Sequence, residues 1–258
     1  MTKQEFDLSG RTALVTGAGQ GVGAAIAELF AAHGAHVLVN DVRGDRAGEV
    51  AARIAEAGGS AAPLAFDVTD HDAVTAAIAA HPALSIVVNN AGNAGADPTA
   101  DARKPFWETG PAVWRQWIDV NLTGVMNVCA AAIPAMIAHG GGRLVTIISD
   151  AGRVGEAGME PYSAAKAGAA GLTRAMARSL GRHGITANAI SIAATQTPAT
   201  AARLADPELV RKVFAGYVVR RPGQPAEIAA MALLLASDAS AWITGQTYPV
   251  NGGFSFAQ

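Results

Sequence analysis

Tyr162 and Lys166 stand four residues apart in Pro161-Tyr162-Ser163-Ala164-Ala165-Lys166, a spacing that puts both side chains on one face of a helix. A phenol with an ordinary pKa of about 10 is a poor base at neutral pH, and a fixed ammonium beside it favours the phenolate. The pair is an acid–base device wherever a substrate hydroxyl can reach it. Tyr-x-x-x-Lys also arises by accident on amphipathic helices, so the pair alone carries little. Ser149 gives it weight: 13 positions before the tyrosine, it ends Leu144-Val145-Thr146-Ile147-Ile148, a β-branched run that reads as a buried strand. The carboxyl ends of strands are where open α/β sheets bind ligands.

A second constellation lies near the amino terminus. Thr16-Gly17-Ala18-Gly19-Gln20-Gly21-Val22-Gly23 follows the strand-like Thr12-Ala13-Leu14-Val15 and opens an apolar helix running to His33. Glycines let a backbone approach a pyrophosphate, and the N–H groups of a helix start hold it.

The elements that would position these groups alternate. Strand-like runs at 12–15, 36–40, 62–66, 85–88, 144–148 and 186–190 are separated by alanine-rich helical runs to 33, to 57, over 70–80, around 113–138 and over 162–182. This is the rhythm of βαβ units and predicts a single-domain α/β fold, a doubly wound parallel sheet of Rossmann type with helices on both faces. Two segments break it. A loop with Gly95, Pro98, Pro105, Gly110 and Pro111 spans 93–111, and a connection over 193–223 with a short helix at 207–215 reads as a substrate lid of apolar inner face.

Composition narrows the function. The 258 residues, 50 % hydrophobic and 16 % charged with a net charge of −2, give no basic cluster for nucleic acid or an anionic membrane. The longest aliphatic stretch, 228–236, is too short to span a bilayer, and the first residues lack a signal-peptide core, so the expectation is a cytoplasmic protein. A lone Cys129 among apolar neighbours reads as a buried hydrophobe, and six scattered histidines offer no metal spacing.

Together these residues resemble the short-chain dehydrogenase/reductase superfamily in its classical subfamily, over nearly the whole chain. The resemblance rests on TGxxxGxG at Thr16–Gly23, Asn89-Asn90-Ala91-Gly92, the asparagine of Asp119-Val120-Asn121-Leu122, and Ser149, Tyr162 and Lys166. It implies that Tyr162 is the general acid/base and that Ser149 binds the substrate oxygen. Lys166 lowers the tyrosine pKa and holds a nicotinamide ribose, and Asn121 anchors a water in a proton relay. The cofactor would lie against Gly17, Gln20, Gly21, Val22, Gly23, Asn90, Ala91, Gly92 and Thr197, with Asp67 and Val68 at the adenine.

Asp41 ends the second strand about 20 residues past the glycine turn, where a carboxylate accepts from an adenosine ribose and repels a 2′-phosphate. NAD is thus expected over NADP; Gln20 supplies no compensating cation, and Arg43 reads as a solvated loop arginine. The expected reaction interconverts a secondary alcohol and a ketone on a small or medium, largely apolar substrate. The rivals are an NADPH-linked 3-oxoacyl thioester reductase and a catalytically silent nucleotide-binding scaffold. The resemblance also implies a homotetramer built on the helices around 113–138 and 162–182. Ile192-Ala193 stands where relatives carry Pro-Gly, which leaves the lid's first residues uncertain in path, and Asn251 stands where aspartate is common. Asp150 reads either as a carboxylate facing the pocket, where it would disfavour an anionic substrate group, or as a solvent-facing one.

Overall fold

The computed structural model describes residues 3–93 and 104–256; Gly95 and Pro98 of the first loop lie outside them. Seven strands form one parallel sheet: β1 Thr12–Val15, β2 His36–Asp41, β3 Ser60–Ala65, β4 Leu84–Asn89, β5 Gly142–Ser149, β6 Ile185–Ile192 and β7 Thr247–Val250. Their spatial order is β3-β2-β1-β4-β5-β6-β7. The order reverses between β1 and β4, and a crevice opens there at the carboxyl ends of the strands.

The pleat explains why the strands read as continuous apolar runs. Along β1, Ala13 and Val15 enter one core and Leu14 the other, all fully buried. The first core is closed by α1 Gly21–Ala32, α2 Gly44–Glu56 and α10 Pro225–Ala236, through Ile26, Phe30, Val50, Ile54 and Ile228. The second is closed by α3 His71–Ala79, α5 Gly124–Ala138 and α7 Glu160–Leu180, through Val74, Ile78, Val128, Met136 and Leu180. Each such side chain contributes roughly 1.5–3 kcal/mol relative to exposure. Asp70 caps α3 by accepting from the Ala73 N–H at 3.0 Å. The edge strands carry proline, Pro63 in β3 and Pro249 in β7.

Three expectations need correction. The third strand begins at Ser60 and ends at Ala65 rather than covering 62–66, because pairing with β2 starts at His36↔Ser60. The long helix is not uniform: α4 Pro111–Ile118 passes through a π-helical turn, Asp119–Thr123, into α5. Among the described residues that combined helix, not 228–236, is the apolar stretch long enough to cross a bilayer by length and composition. One of its faces packs on the sheet, and Met126, Ala130, Pro134 and Ile137 form an exposed stripe on another.

The connection from β6 to α10 contains α8 Ala201–Leu204 and α9 Pro207–Phe214. Its path is settled without Pro-Gly. Among the described residues Asn93 alone has positive φ without being glycine, so Ala193 needs no glycine freedom. Pairing of Thr195 with Gly223 and hydrogen bonds from Gln196 N–H to Gly223 O and from Gly223 N–H to Ala194 O close the base of the lid.

Candidate active site

The glycine turn after β1 is built for close approach. Gly17 and Gly21 have φ of +60°, a Cβ on Gly17 would meet the Ala91 Cα at 2.8 Å, and one on Gly23 would meet the Gly17 carbonyl at 2.5 Å. Asn90 ties this turn to the end of β4, donating both amide hydrogens to the carbonyls of Thr16 (2.9 Å) and Gly17 (3.0 Å). Thr16 Oγ1 accepts from the N–H groups of Asn90 and Ala91 in return. The Asn90 amide thus shapes the cradle rather than reaching into it.

Asp41 is 7 % exposed; its Oδ2 accepts from the Gly19 N–H at 3.2 Å and its Oδ1 from the Arg43 N–H at 2.9 Å. Each oxygen keeps a lone pair for a further donor. A Cβ at Gly19 would lie 2.6 Å from Asp41 Oδ2, so glycine is needed for the carboxylate to sit here. Arg43 spends its guanidinium on Asp45 in an exposed pair. Asp67 folds into a local turn, accepting from the Thr69 N–H and hydroxyl through Oδ1. Val68 is buried against Gly124. Thr197 brings the lid over the turn, its Cγ2 3.3 Å from where a Gly21 Cβ would be.

Two supporting asparagines escaped the sequence reading. Asn40 donates to the carbonyls of Leu64 and Phe66 and accepts from Gly17 N–H, and Asn127 donates to the Val68 carbonyl at 3.0 Å. The available signal was an amide inside an otherwise apolar strand or helix, since a buried amide must find partners.

At the end of β5, Ser149 pairs with Ile192 of β6, and its Oγ accepts from the Ala151 N–H at 3.1 Å. Tyr162 presents its phenol to Ser149, and Trp117 stands edge-on to its ring with centroids 5.5 Å apart. Lys166 is 4 % exposed; its Nζ donates to the Ile147 carbonyl at 2.9 Å and lies 5.8 Å from the Tyr162 ring centroid. Asn121 sits in the π-helical turn, and its amide donates to the carbonyls of Asn93 (2.7 Å) and Trp117 (2.8 Å). Among the described residues Asn121 Oδ1 is buried with no partner, 3.1 Å from where a Gly92 Cβ would be; Lys166 Nζ is 3.5 Å from the same point. Asn121, Lys166 and Gly92 therefore share one small space. An orphaned acceptor and an ammonium with one acceptor for three hydrogens among the described residues leave hydrogen-bonding capacity to fill.

The electrostatics correct one expectation. Burial raises the Tyr162 phenol above its ordinary value, because the phenolate loses more hydration than the phenol; the Ser149 hydrogen bond works in the opposite direction and Glu156 adds to the rise. Burial also pushes Lys166 down to about 8. The two groups thus disfavour their charged forms together, and the lysine does not bring the phenol below normal in the cofactor-free protein.

That depression has a sign in stability. Between about 8 in the folded protein and about 10.4 in the unfolded chain, the unfolded chain binds more protons, so this group's contribution rises with pH and is lost as pH falls through 8. Lys166→Met should stabilise the cofactor-free protein at pH 7 by up to about 3 kcal/mol, less about 1 kcal/mol for the lost hydrogen bond. The gain should shrink towards pH 10.5. Urea titration at both pH values checks this, and an equal gain at both refutes it.

Cys129 is inert: burial raises its thiol to about 11 and its sulfur accepts from Asn89. Asp150 fits neither expectation. It is 1 % exposed, and its carboxylate is enclosed by Ser191, Arg153, Asn251 and Ser255 rather than presented to a pocket or to solvent.

A glycine-cradled nucleotide crevice with a Ser, a Tyr and a Lys at its strand ends belongs to the dinucleotide-dependent oxidoreductases. A family model described as enoyl-(acyl carrier protein) reductase matches residues 17–255. The chain is 39 % identical to the cis-4-hydroxycyclohexanecarboxylate dehydrogenase of Sinomonas cyclohexanicum over 95 % of its length and 96 % of that protein's. It is similar in structure to a gluconate 5-dehydrogenase from Burkholderia cenocepacia in complex with NADP and tartrate (TM-score 0.91, 34 % identity, 99 % of both chains). It is likewise similar to a 7α-hydroxysteroid dehydrogenase complexed with NADH and 7-oxo glycochenodeoxycholic acid (TM-score 0.90, 34 % identity, 98 % of this chain and 97 % of that one). The chain belongs to the classical short-chain dehydrogenase/reductase superfamily and is an NAD(P)-dependent oxidoreductase acting on CH–OH groups.

Proposed function

We propose that this enzyme is an NAD-dependent dehydrogenase that interconverts a secondary alcohol carried on an apolar ring with its ketone. The observation that carries the reading is the meeting of Ser149, Tyr162, Lys166 and the orphaned Asn121 Oδ1 beside the glycine cradle. Ser149 Oγ holds the substrate oxygen, and Tyr162 Oη takes its proton during oxidation and returns it during reduction. Lys166 and Asn121 Oδ1 would offer a hydrogen-bond donor and an acceptor beside Tyr162 for holding a nicotinamide ribose and an ordered water. A bound NAD supplies the hydride acceptor.

Ring substrates are favoured by Trp117, edge-on to Tyr162, beside which Phe106, Val113, Met159 and Pro161 line a narrow cleft that Lys104 and Glu160 also border. Phe214 and Tyr217 of the lid and Phe254 of the turn after β7 meet in succession, so the two lid aromatics are spent on packing and the ring contacts fall to the Trp117 side. The alicyclic and steroid alcohols named for two relatives fit this class. A panel of cyclohexanols, hydroxysteroids, aldonic acids and 3-hydroxyacyl thioesters, each with NAD and NADP, tests it. Preference for the thioester with NADP would replace this reading with that of a 3-oxoacyl reductase.

The stripe Met126, Ala130, Pro134 and Ile137 on α5 is exposed, and so are Ala164 and Ala167 on α7, which packs against α4 and the π-helical turn of the same combined helix. Small side chains permit close helix approach, and a second copy of the chain across a two-fold axis would cover both helices, giving a closed homotetramer when repeated at another face. Ala130→Glu should convert the assembly to smaller species at micromolar concentration, measured by sedimentation. A wild-type monomer would contradict the proposal.

A further inference from the structure

We infer that Asp150 and Asn251 form a positioning pair that sets the catalytic Ser149 through the chain's last turn. This rests on the reading of Ser149 as the ligand of the substrate oxygen. All four acceptor directions of the Asp150 carboxylate are used. Oδ1 accepts from Ser191 Oγ (2.5 Å) and Arg153 Nη1 (2.9 Å), and Oδ2 accepts from Asn251 Nδ2 (2.6 Å) and Ser255 Oγ (3.0 Å). The donors come from three separate places: β6, the short helix α6 Ala151–Val154, and the turn after β7. The backbone is tied as well, with Asp150 N–H donating to the Ile192 carbonyl at 3.0 Å.

Asp150 is the residue after Ser149, and the Ala151 N–H on its other side holds Ser149 Oγ. A displacement of the carboxylate is therefore passed directly to the serine hydroxyl. The turn is locked in its place: Arg153 donates to Ser255 Oγ and to the Phe256 carbonyl, and Asn251 donates to the Ser255 carbonyl. It also meets the lid, since Tyr217 stacks on Phe254 with centroids 4.9 Å apart and Val219 N–H donates to the Gly252 carbonyl. One turn thus braces both the serine and the lid's end.

The choice of residue types follows from charge. Arg153 on α6 is the one ion-pair partner of Asp150 among the described residues, while β6 offers the neutral Ser191 and the turn the neutral Asn251 and Ser255. A carboxylate at 251 would face a carboxylate at 150 across 2.6 Å, so an amide is required there.

The test is Asn251→Asp, with the exchange Asp150→Asn/Asn251→Asp as rescue and Ser149→Ala as control. In Asn251→Asp the facing carboxyls share a proton at low pH and repel once it leaves. The ratio of its kcat to wild type should fall at least tenfold between pH 6.5 and 9, while the dissociation constant for the nucleotide stays within threefold. The exchange, with one carboxylate again, should remove the pH dependence of that ratio and return kcat to within fivefold of wild type. A folded Asn251→Asp with a constant ratio and only a lower Tm would show a merely structural pair and overturn the inference, as would a folded exchange that leaves the loss unrepaired. Should Asn251→Asp not fold, Ser255→Ala withdraws one of the four donors and should lower kcat about threefold at unchanged nucleotide affinity; unchanged kcat overturns the inference. Activity retained by Ser149→Ala instead defeats the reading of the serine itself, which separates the two failures.

Discussion

Tyr162→Phe should lose turnover by 10²- to 10⁴-fold, the usual worth of a positioned proton donor, while nucleotide affinity stays within a factor of about two. The substitution removes one oxygen and leaves the ring against Trp117, so packing changes little. Steady-state kinetics and fluorescence titration with reduced nucleotide separate the two effects. Retention of more than a few per cent of wild-type kcat would remove Tyr162 from the acid–base role. The burial that raises its phenol gives the assignment a direction. In the cofactor-free site the group is a proton donor at neutral pH, suited to ketone reduction. Alcohol oxidation needs the phenolate and should gain rate as pH rises.

Asp41 should favour NAD over NADP by at least tenfold in kcat/KM. A 2′-phosphate beside this carboxylate costs on the order of a kcal/mol or more in Coulomb energy at a surface-like dielectric. It also forfeits ribose hydrogen bonds worth about 1.5–3 kcal/mol to a charged acceptor, each 1.4 kcal/mol being roughly one decade. The geometry sharpens the point, because both oxygens already accept a backbone N–H and are fixed in place. Asp41→Ala should narrow the ratio mainly by weakening NAD, and adding Gln20→Arg should move it towards NADP by supplying a phosphate partner. Arg43 is engaged with Asp45, whereas Arg46, whose Cβ lies against the face of Gly19, is the cation best placed to oppose this outcome. Equal or better use of NADP by the wild type would mean that an arginine here engages the phosphate and that Asp41 does not discriminate.

The strand–helix alternation was legible because fully buried parallel strands leave long apolar runs, and β1, β2, β4 and the glycine turn fall where periodicity puts them. The ends were less legible. β5 begins at Gly142-Arg143, and a charged residue does not read as strand; yet Arg143 is buried through an ion pair with Asp238, 95 positions later. The π-helical turn at Asn121 carries no local sequence signal, and one of the two amide bonds made there goes to the Asn93 carbonyl of another loop. Asp150 was misread for the same reason: its partners Ser191, Asn251 and Ser255 are 41, 101 and 105 residues away. Residue type and spacing singled out Ser149, Tyr162 and Lys166, which the structure brings together, whereas the groups that hold them left faint signals, because buried polar partners are chosen by three-dimensional neighbourhood.

The two edge prolines have a consequence for the protein at high concentration. A parallel sheet ends in strands whose outer N–H and C=O groups could recruit another extended chain, the first step of edge-to-edge aggregation. Pro63 and Pro249 each withdraw a donor from such a ladder, and an edge strand tolerates proline where the missing N–H would have pointed outward. Each edge is thus a poor template for continued growth, and the protein can carry strands this apolar without offering their rims to unfolded neighbours.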